Sequence, residues 1–587
     1  MQFTNNNFFT IIQDITVKYQ EALMYLSRDL VNMSKHSLFT NNTMNEIILN
    51  LCYKSISHPE HWITLQTTFS EKLAQLITST AQKALDSNIE DIYVDNIKSR
   101  RFTGDAWKNN LYFNFIKQFY LMSSEIWGNY IETITRDLPQ GALINFLNKQ
   151  LIDGLCPTNF VFTNPAVLQA SIEQNGQNLL KGLDNLLSDL KKYHDHISIS
   201  NNDNSNFQLG KNLATTPGKV VFKNELIELL AFQTKDKVHK IPVFIVPAWI
   251  NKYYILDLSA HNSFIKWLAD NNFQVFVVSW INPDETYKDT KFEDYCMKGI
   301  VEACEFLRKE FKIKELNAIG YCLGGTLLSM ALCYMKAKNI NIFKSATFLT
   351  TLLDFSTPGQ LGVFINDNML KVLEKEMNEV GYLDGRYLSS VFSILKANEL
   401  IWHFMVNNYL MGKTPDAFDI LYWNSDSTNL PAEAHSYYLR NMYLENNLTK
   451  PNKLSIQDVP INLEDIDIPT FFLGAKEDHI APALATFQSF NLLKNSDKKF
   501  CLTTSGHIVG VINPPGNSKY SYWLNDNIAN DIDYENWTKT ARKCEGSWWP
   551  MWLGWLKKNS GKQIEDLRLE RTKAIEPAPG SYVKRRL

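Results

Sequence analysis

The chain has little of what would mark an exported, membrane-embedded or nucleic-acid-binding protein. Its eight cysteines, in 587 residues, show no paired spacing and no Cys-x-x-Cys. Neither a disulfide framework nor a metal ribbon is therefore expected, and the thiols read as reduced, as in a cytosolic protein. The start, Met1-Gln2-Phe3-Thr4-Asn5, carries no basic leader. The longest apolar run, around Ile241 to Ile250, falls far short of the ~20 residues a spanning helix needs. No transmembrane segment is expected, and any membrane or lipid association must be peripheral. Charge nearly cancels, 59 basic against 62 acidic side chains for a net −3, so no electrostatic case exists for a nucleic-acid or polyanion partner.

What is present is a large apolar content, 45% of residues, and a high aromatic share of 12%, with 14 Trp and 25 Tyr. The length exceeds one core, so two domains are expected. Residues 1 to about 200 read as helical. Phe8 to Ser27, Ile63 to Ala84, Leu111 to Met122 and Leu179 to Tyr193 carry apolar residues at three- and four-residue spacing, with few Gly or Pro. The polar stretch Ser198 to Ser205 is a linker, which divides the chain into an all-helical domain at 1–205 and a second domain at 206–587.

After the linker the period changes. Short strands at Lys219 to Phe222 and Ile227 to Phe232 precede a buried strand at Ile241 to Val246. Then follow a helix at Asn262 to Asp270, a strand at Gln274 to Ser279, a helix at Phe292 to Phe311 and a strand at Ser345 to Thr351. Apolar strands alternating with helices imply a mostly parallel sheet covered on both faces. From Asp354 to about Ile461 the alternation lapses into long helical stretches, Gly359 to Val380 and Ser389 to Tyr409. A helical lid inserted at about 355–460 is expected there, and strands resume at 470–474 and 499–503. The Trp548, Trp549, Trp552, Trp555 stripe reads as core, and the basic end Lys584-Arg585-Arg586 as solvated.

The chemistry is expected where a strand ending Leu316, Ala318, Ile319 meets Gly320-Tyr321-Cys322-Leu323-Gly324 and a helix follows. This is the nucleophile-elbow pattern Gly-x-Ser-x-Gly with cysteine at the apex, and it assigns the second domain to the α/β-hydrolase fold. The flanking glycines suit a cramped bend, and the fresh helix N-terminus favours a thiolate. The partners should follow in the order acid, then histidine, each after a later strand. Asp478 and His507 fill those places. Glu477 is the rival acid, and His479, His403 and His435 are the rival bases. Two oxyanion donors are needed: the N–H of Leu323, and a second from Pro247 to Asn251, either Trp249 or Ile250. No metal site is expected.

Taken together, Ser99 to Trp107 with Asn114-Phe115, Gly210 to Gly218, Pro247 to Ser263 and Trp280-Ile281-Asn282-Pro283-Asp284 resemble the class I polyhydroxyalkanoate synthases. So do Gly320 to Thr326, Glu477 to Ile480, Gly506 to Pro515, Gly546 to Pro550 and Pro577 to Lys584. The resemblance runs from about residue 95 to the C-terminus; the first 90 residues carry little of it. It implies Cys322 as the acylated nucleophile with Asp478 and His507 as partners. It also implies an (R)-3-hydroxyacyl-CoA substrate of short chain, and a dimerising cytoplasmic enzyme at the surface of a polyester granule. CoA is then a leaving group and no cofactor is expected. A thioester suits a thiol nucleophile, because acyl transfer from CoA to Cys322 exchanges like for like. The aromatic excess gains a purpose: Phe364, Trp402, Phe404 and Trp423 of the lid region would line the route of an apolar polyester.

Overall fold

The computed structural model describes residues 14–26, 41–95, 100–192, 198–234, 237–495, 497–516, 519–525, 532–565 and 572–587. The chain separates into two compact units, one formed by 1–203 with 392–416, the other by 204–391 with 417–587. Residues 14–26 are helical, and the remainder of the helix expected from Phe8 to Ser27 lies outside the described residues.

The first unit is helical. Its helices α1 (Pro59–Leu85) and α2 (Leu111–Thr135) bury Leu76, Met122 and Ile126 between them. Asn110 caps α2, its side chain accepting from the N–H groups of Tyr112 and Phe113, which supplies acceptors for two otherwise orphaned donors. Asp91 ties the pair together by accepting from Lys83 and Lys117. Residues 392–416 pack on α3 (Gln177–Lys192). Gly182 is required there, because a Cβ would stand 1.8 Å from the Tyr409 carbonyl oxygen, and the Tyr409 hydroxyl bonds Asp189 at 2.7 Å. Thus the middle of the stretch read as lid travels with the N-terminal helices. Trp402 lies against Gly154 in this unit.

The second unit is built on an eleven-stranded sheet. In chain order the strands are β1 (Gly218–Lys223), β2 (Ile227–Phe232), β3 (Val243–Val246), β4 (Val275–Trp280), β5 (Leu316–Tyr321) and β6 (Phe343–Leu349). They continue with β7 (Thr470–Ala475), β8 (Lys498–Thr503), β9 (Ser521–Leu524), β10 (Arg542–Glu545) and β11 (Glu576–Pro577). Their spatial order is β10-β9-β8-β7-β6-β5-β3-β4-β2-β1-β11. The six strands from β8 to β4 run parallel, and both edges are antiparallel. Every residue of β3, β4, β5 and β7 is buried, which is why these strands read as unbroken apolar runs. Successive side chains go to opposite faces: Val243 and Ile245 join one core, Phe244 and Val246 the other. Helix α4 (Phe264–Asp270) covers one face, and α5 (Leu323–Ala337), buried along nearly its whole length, covers the other. This is the α/β-hydrolase arrangement expected from the elbow.

Between β6 and β7 the chain forms α6 (Asp367–Val380), α7 (Asp419–Ser425) and α8 (Ala432–Tyr438). The expected helix from Gly359 starts only at Asp367, where Asn366 caps it by accepting from the Met369 N–H. The tryptophan stripe lies on α9 (Trp549–Lys558) and its N-cap and is buried in the core with Phe264.

One expectation is overturned. Trp423 does not line an open route; it is buried, with its indole N–H on the Lys252 carbonyl at 2.8 Å. The basic end Lys584-Arg585-Arg586 is exposed, as expected, although Arg585 also pairs with Asp284 and the Arg586 guanidinium lies 4.7 Å over the Tyr422 ring.

Candidate active site

Cys322 stands between β5 and α5 with φ 53° and ψ −123°, a left-handed conformation that a side chain rarely adopts and that the surroundings must hold in place. The holding contacts are backbone ones. The Cys322 N–H donates to Leu349 O at 2.9 Å and its carbonyl accepts from Gly325 N at 2.9 Å. The Thr351 hydroxyl adds a third bond to that carbonyl at 3.2 Å. The glycines are sterically obligatory: a Cβ on Gly320 would stand 2.3 Å from Gly325 Cα, and one on Gly324 2.0 Å from Val246 O.

The other two residues arrive from the ends of β7 and β8. His507 Nδ1 meets Asp478 Oδ2 at 2.7 Å, and both side chains are buried. The second Asp478 oxygen accepts from the N–H groups of Ile480 at 2.8 Å and Ala481 at 2.9 Å. These bonds fix the carboxylate, which fixes the ring and leaves Nε2 free of Asp478; the Cys322 sulfur is near enough to act on the ring electrostatically. Tyr321 stacks on the imidazole at 5.6 Å. Burial works against a charged His507, but the Asp478 carboxylate and the Cys322 sulfur outweigh it and raise the ring's pKa well above the usual histidine range. The structure therefore brings Cys322, Asp478 and His507 together. Of the rivals, Glu477 is exposed, His403 belongs to the first unit, and His435 is enclosed in α8 with its pKa pushed down to about 3 by burial alone.

Leu323 opens α5, so its N–H has no acceptor within the helix. Trp249 and Ile250 form a turn directly after β3, whose Val246 is in register with Gly320. The close approach of Gly324 to Val246 and Pro247 sets this turn against the head of α5. Trp249 is buried, its ring against Phe292, Tyr295 and Tyr438. Ile250 is half-buried against the same core. The two positions remain equivalent candidates for the second donor.

Sequence reasoning missed Tyr438 and Tyr443. Their rings meet edge to face with centroids 5.6 Å apart. Burial raises both phenols, and the Cys322 sulfur contributes to both shifts, so the two rings neighbour the thiol. Nothing in their spacing distinguishes them from core aromatics. Among the described residues, the ligand atoms of His58, Glu60 and His61, at the start of α1, lie close enough together to hold a metal ion. A helix N-terminus is unfavourable for a cation.

Comparison with known proteins gives a consistent picture. Residues 98–268 match the family model described as poly-beta-hydroxybutyrate polymerase (PhaC) N-terminus, and residues 241–514 match the alpha/beta hydrolase fold. The poly(3-hydroxyalkanoate) polymerase subunit PhaC of Rhizobium meliloti is 39% identical over 90% of this chain and 86% of its own. The poly(3-hydroxyalkanoate) polymerase of Methylorubrum extorquens is 39% identical over 90% and 88%. The corresponding subunit of Cupriavidus necator is 39% identical over 83% of each chain.

Proposed function

Because the chain belongs to the poly(3-hydroxyalkanoate) polymerase family, we propose that it joins hydroxyacyl units into polyhydroxyalkanoate by a covalent route through Cys322. The substrate in this reading is an (R)-3-hydroxyacyl-CoA of short chain. The observation that carries it is the 2.7 Å hydrogen bond between Asp478 and a buried His507 whose pKa the neighbouring Cys322 sulfur helps to raise.

The Cys322 sulfur attacks the thioester carbonyl, forming a new C–S bond while the bond to CoA breaks. The proton held on His507 passes to the departing CoA sulfur. In the second half the 3-hydroxyl of an acyl group attacks a Cys322 thioester. His507 takes the hydroxyl proton, an oxoester forms and the Cys322 sulfur is released. The Leu323 N–H and one of Trp249 or Ile250 receive the oxyanion in each half. Asp478 has one oxygen on His507 and the other on two backbone N–H groups, which supports an orienting role over direct attack on the substrate hydroxyl. No cofactor beyond the CoA of the substrate enters this scheme. Buried Trp249 and Tyr438, with half-buried Tyr443 beside them, support exclusion of water, which chain growth requires.

The proposal extends to a homodimer acting in the cytoplasm at the polyester surface. Exposed apolar side chains on the first unit, among them Trp62, Ile63, Tyr112 and Phe119, support contact with an apolar phase. No helix among the described residues is long and apolar enough to cross a membrane. Incubation with 3-hydroxybutyryl-CoA tests the reading. Free CoA with insoluble polymer supports it, whereas CoA with soluble 3-hydroxybutyrate identifies a hydrolase; a series of acyl lengths then measures chain preference.

A further inference from the structure

The last dozen residues are bound more tightly to the catalytic unit than a chain end requires. Glu576 and Pro577 extend the sheet on β1. The buried carboxylate of Glu228 accepts from the N–H groups of Ser581 and Tyr582, each at 3.0 Å, and from the Ser581 hydroxyl at 2.6 Å. Val583 is buried. Immediately beyond it the tail meets Lys252, two residues past the oxyanion turn. The Lys252 ammonium donates to Val583 O at 2.9 Å, Arg585 O at 2.7 Å and Asp426 Oδ1 at 2.8 Å. Its three protons thus meet three acceptors on two remote segments. The remaining Asp426 oxygen accepts from the Tyr254 hydroxyl at 2.9 Å.

The Lys252 and Asp426 side chains are each 3% exposed. Burial opposes charge on both, and their mutual attraction counters it. Such a pair adds little net stability over apolar side chains of the same shape, so its physical contribution is geometric. It anchors the far end of a loop whose near end is held by the Trp280 indole N–H on Pro247 O at 2.9 Å. The Trp423 indole on the Lys252 carbonyl reinforces the same anchor. Trp249 and Ile250 lie between these two points.

We propose that Lys252 is a positioning residue for acyl transfer. By tying the Trp249–Ile250 turn to the carbonyls of Val583 and Arg585 and to Asp426, it holds the second oxyanion donor in place. The C-terminal tail is thereby part of the catalytic frame. This rests on the Cys322 reading above and deepens it. Removing an oxyanion donor outright costs about 10²- to 10³-fold in kcat; releasing its anchor should cost about tenfold.

The test uses the full-length enzyme and the double variant Lys252→Met/Asp426→Asn, which removes both charges together so that neither is left buried alone. Thermal melting checks folding. Steady-state CoA release from 3-hydroxybutyryl-CoA gives kcat and KM, and iodoacetamide labelling of Cys322 reports the thiol independently of the oxyanion turn. The expected result is kcat lower by about tenfold, with KM and the labelling rate within about twofold of wild type. An unchanged kcat in the folded variant overturns the proposal. So does a labelling rate that falls in step with kcat, because that reports general distortion of the site. If the double variant does not fold, Arg585→Ala/Arg586→Ala loosens the tail at its outer tethers to Asp284 and Tyr422. A kcat reduced a few-fold at constant KM supports the proposal, and an unchanged kcat overturns it. Full turnover by Cys322→Ala would instead remove the underlying reading, whatever the Lys252 variants do.

Discussion

Replacing Asp478 with asparagine isolates the electrostatics of the site with almost no change of shape. Asparagine retains an oxygen for the N–H groups of Ile480 and Ala481 but removes the charge facing His507. Burial, which disfavours a charged ring, is then left without its main opponent, and the raised His507 pKa falls. A hydrogen bond to a charged partner, such as the 2.7 Å bond between His507 and Asp478, contributes about 1.5–3 kcal/mol. At about 1.4 kcal/mol per decade, that is about 10- to 150-fold in rate. Rapid-quench measurement of first-turnover CoA release at neutral pH should show a decrease in that range. Thermal melts give a second readout. A raised folded pKa means the charged ring stabilises the fold fully below the ordinary value of about 6.5, and that stabilisation is lost as pH rises through the raised value. The deficit of Asp478→Asn in melting temperature should therefore be larger at about pH 6 than at high pH. An unaltered first-turnover rate would refute the reasoning, because the carboxylate would then have no hold on the reacting pair.

Three further outcomes follow from the same geometry. Gly324→Ala would drive a Cβ to 2.0 Å from the Val246 carbonyl oxygen and should lower stability by about 3 kcal/mol in urea denaturation; an unchanged midpoint would contradict the packing of the elbow. His507→Gln should slow acyl loading by about 10²-fold or more while His479→Gln stays within a few-fold, and the reverse ranking would show that the wrong imidazole was chosen. His435, held neutral by burial with a pKa near 3, takes up its proton only on unfolding as pH falls below about 6.5. It should cost about 1.4 kcal/mol of stability per pH unit down to about 3, and His435→Leu should flatten that part of the profile.

The parallel strands were legible because each is buried on both faces and needs an unbroken apolar run, as in Val275 to Trp280. The placement of Cys322, Asp478 and His507 was legible for a related reason: the elbow demands glycines where no Cβ fits, and Asp478 and His507 follow the ends of later strands. The antiparallel edges β9, β10 and β11 were not, since Arg542–Glu545 and Glu576–Pro577 are short and polar. The lid was misread in detail because its helices carry aromatics for different purposes. Trp423 packs in one core with its indole on Lys252, and Tyr438 packs in the other against Trp249, a distinction set by tertiary contacts alone. The docked tail escaped notice because its anchors, Glu228, Lys252 and Asp284, lie about 300 or more residues away in sequence.

The central claim is that the acyl group passes through the sulfur of Cys322. Acid quenching during turnover of 3-hydroxybutyryl-CoA, followed by peptide mass spectrometry, tests it directly. The account predicts a 3-hydroxybutyryl adduct on the peptide containing Cys322, removed by treatment with hydroxylamine, and no adduct or CoA release in Cys322→Ala. An adduct on another residue, or undiminished turnover by that variant, would contradict it.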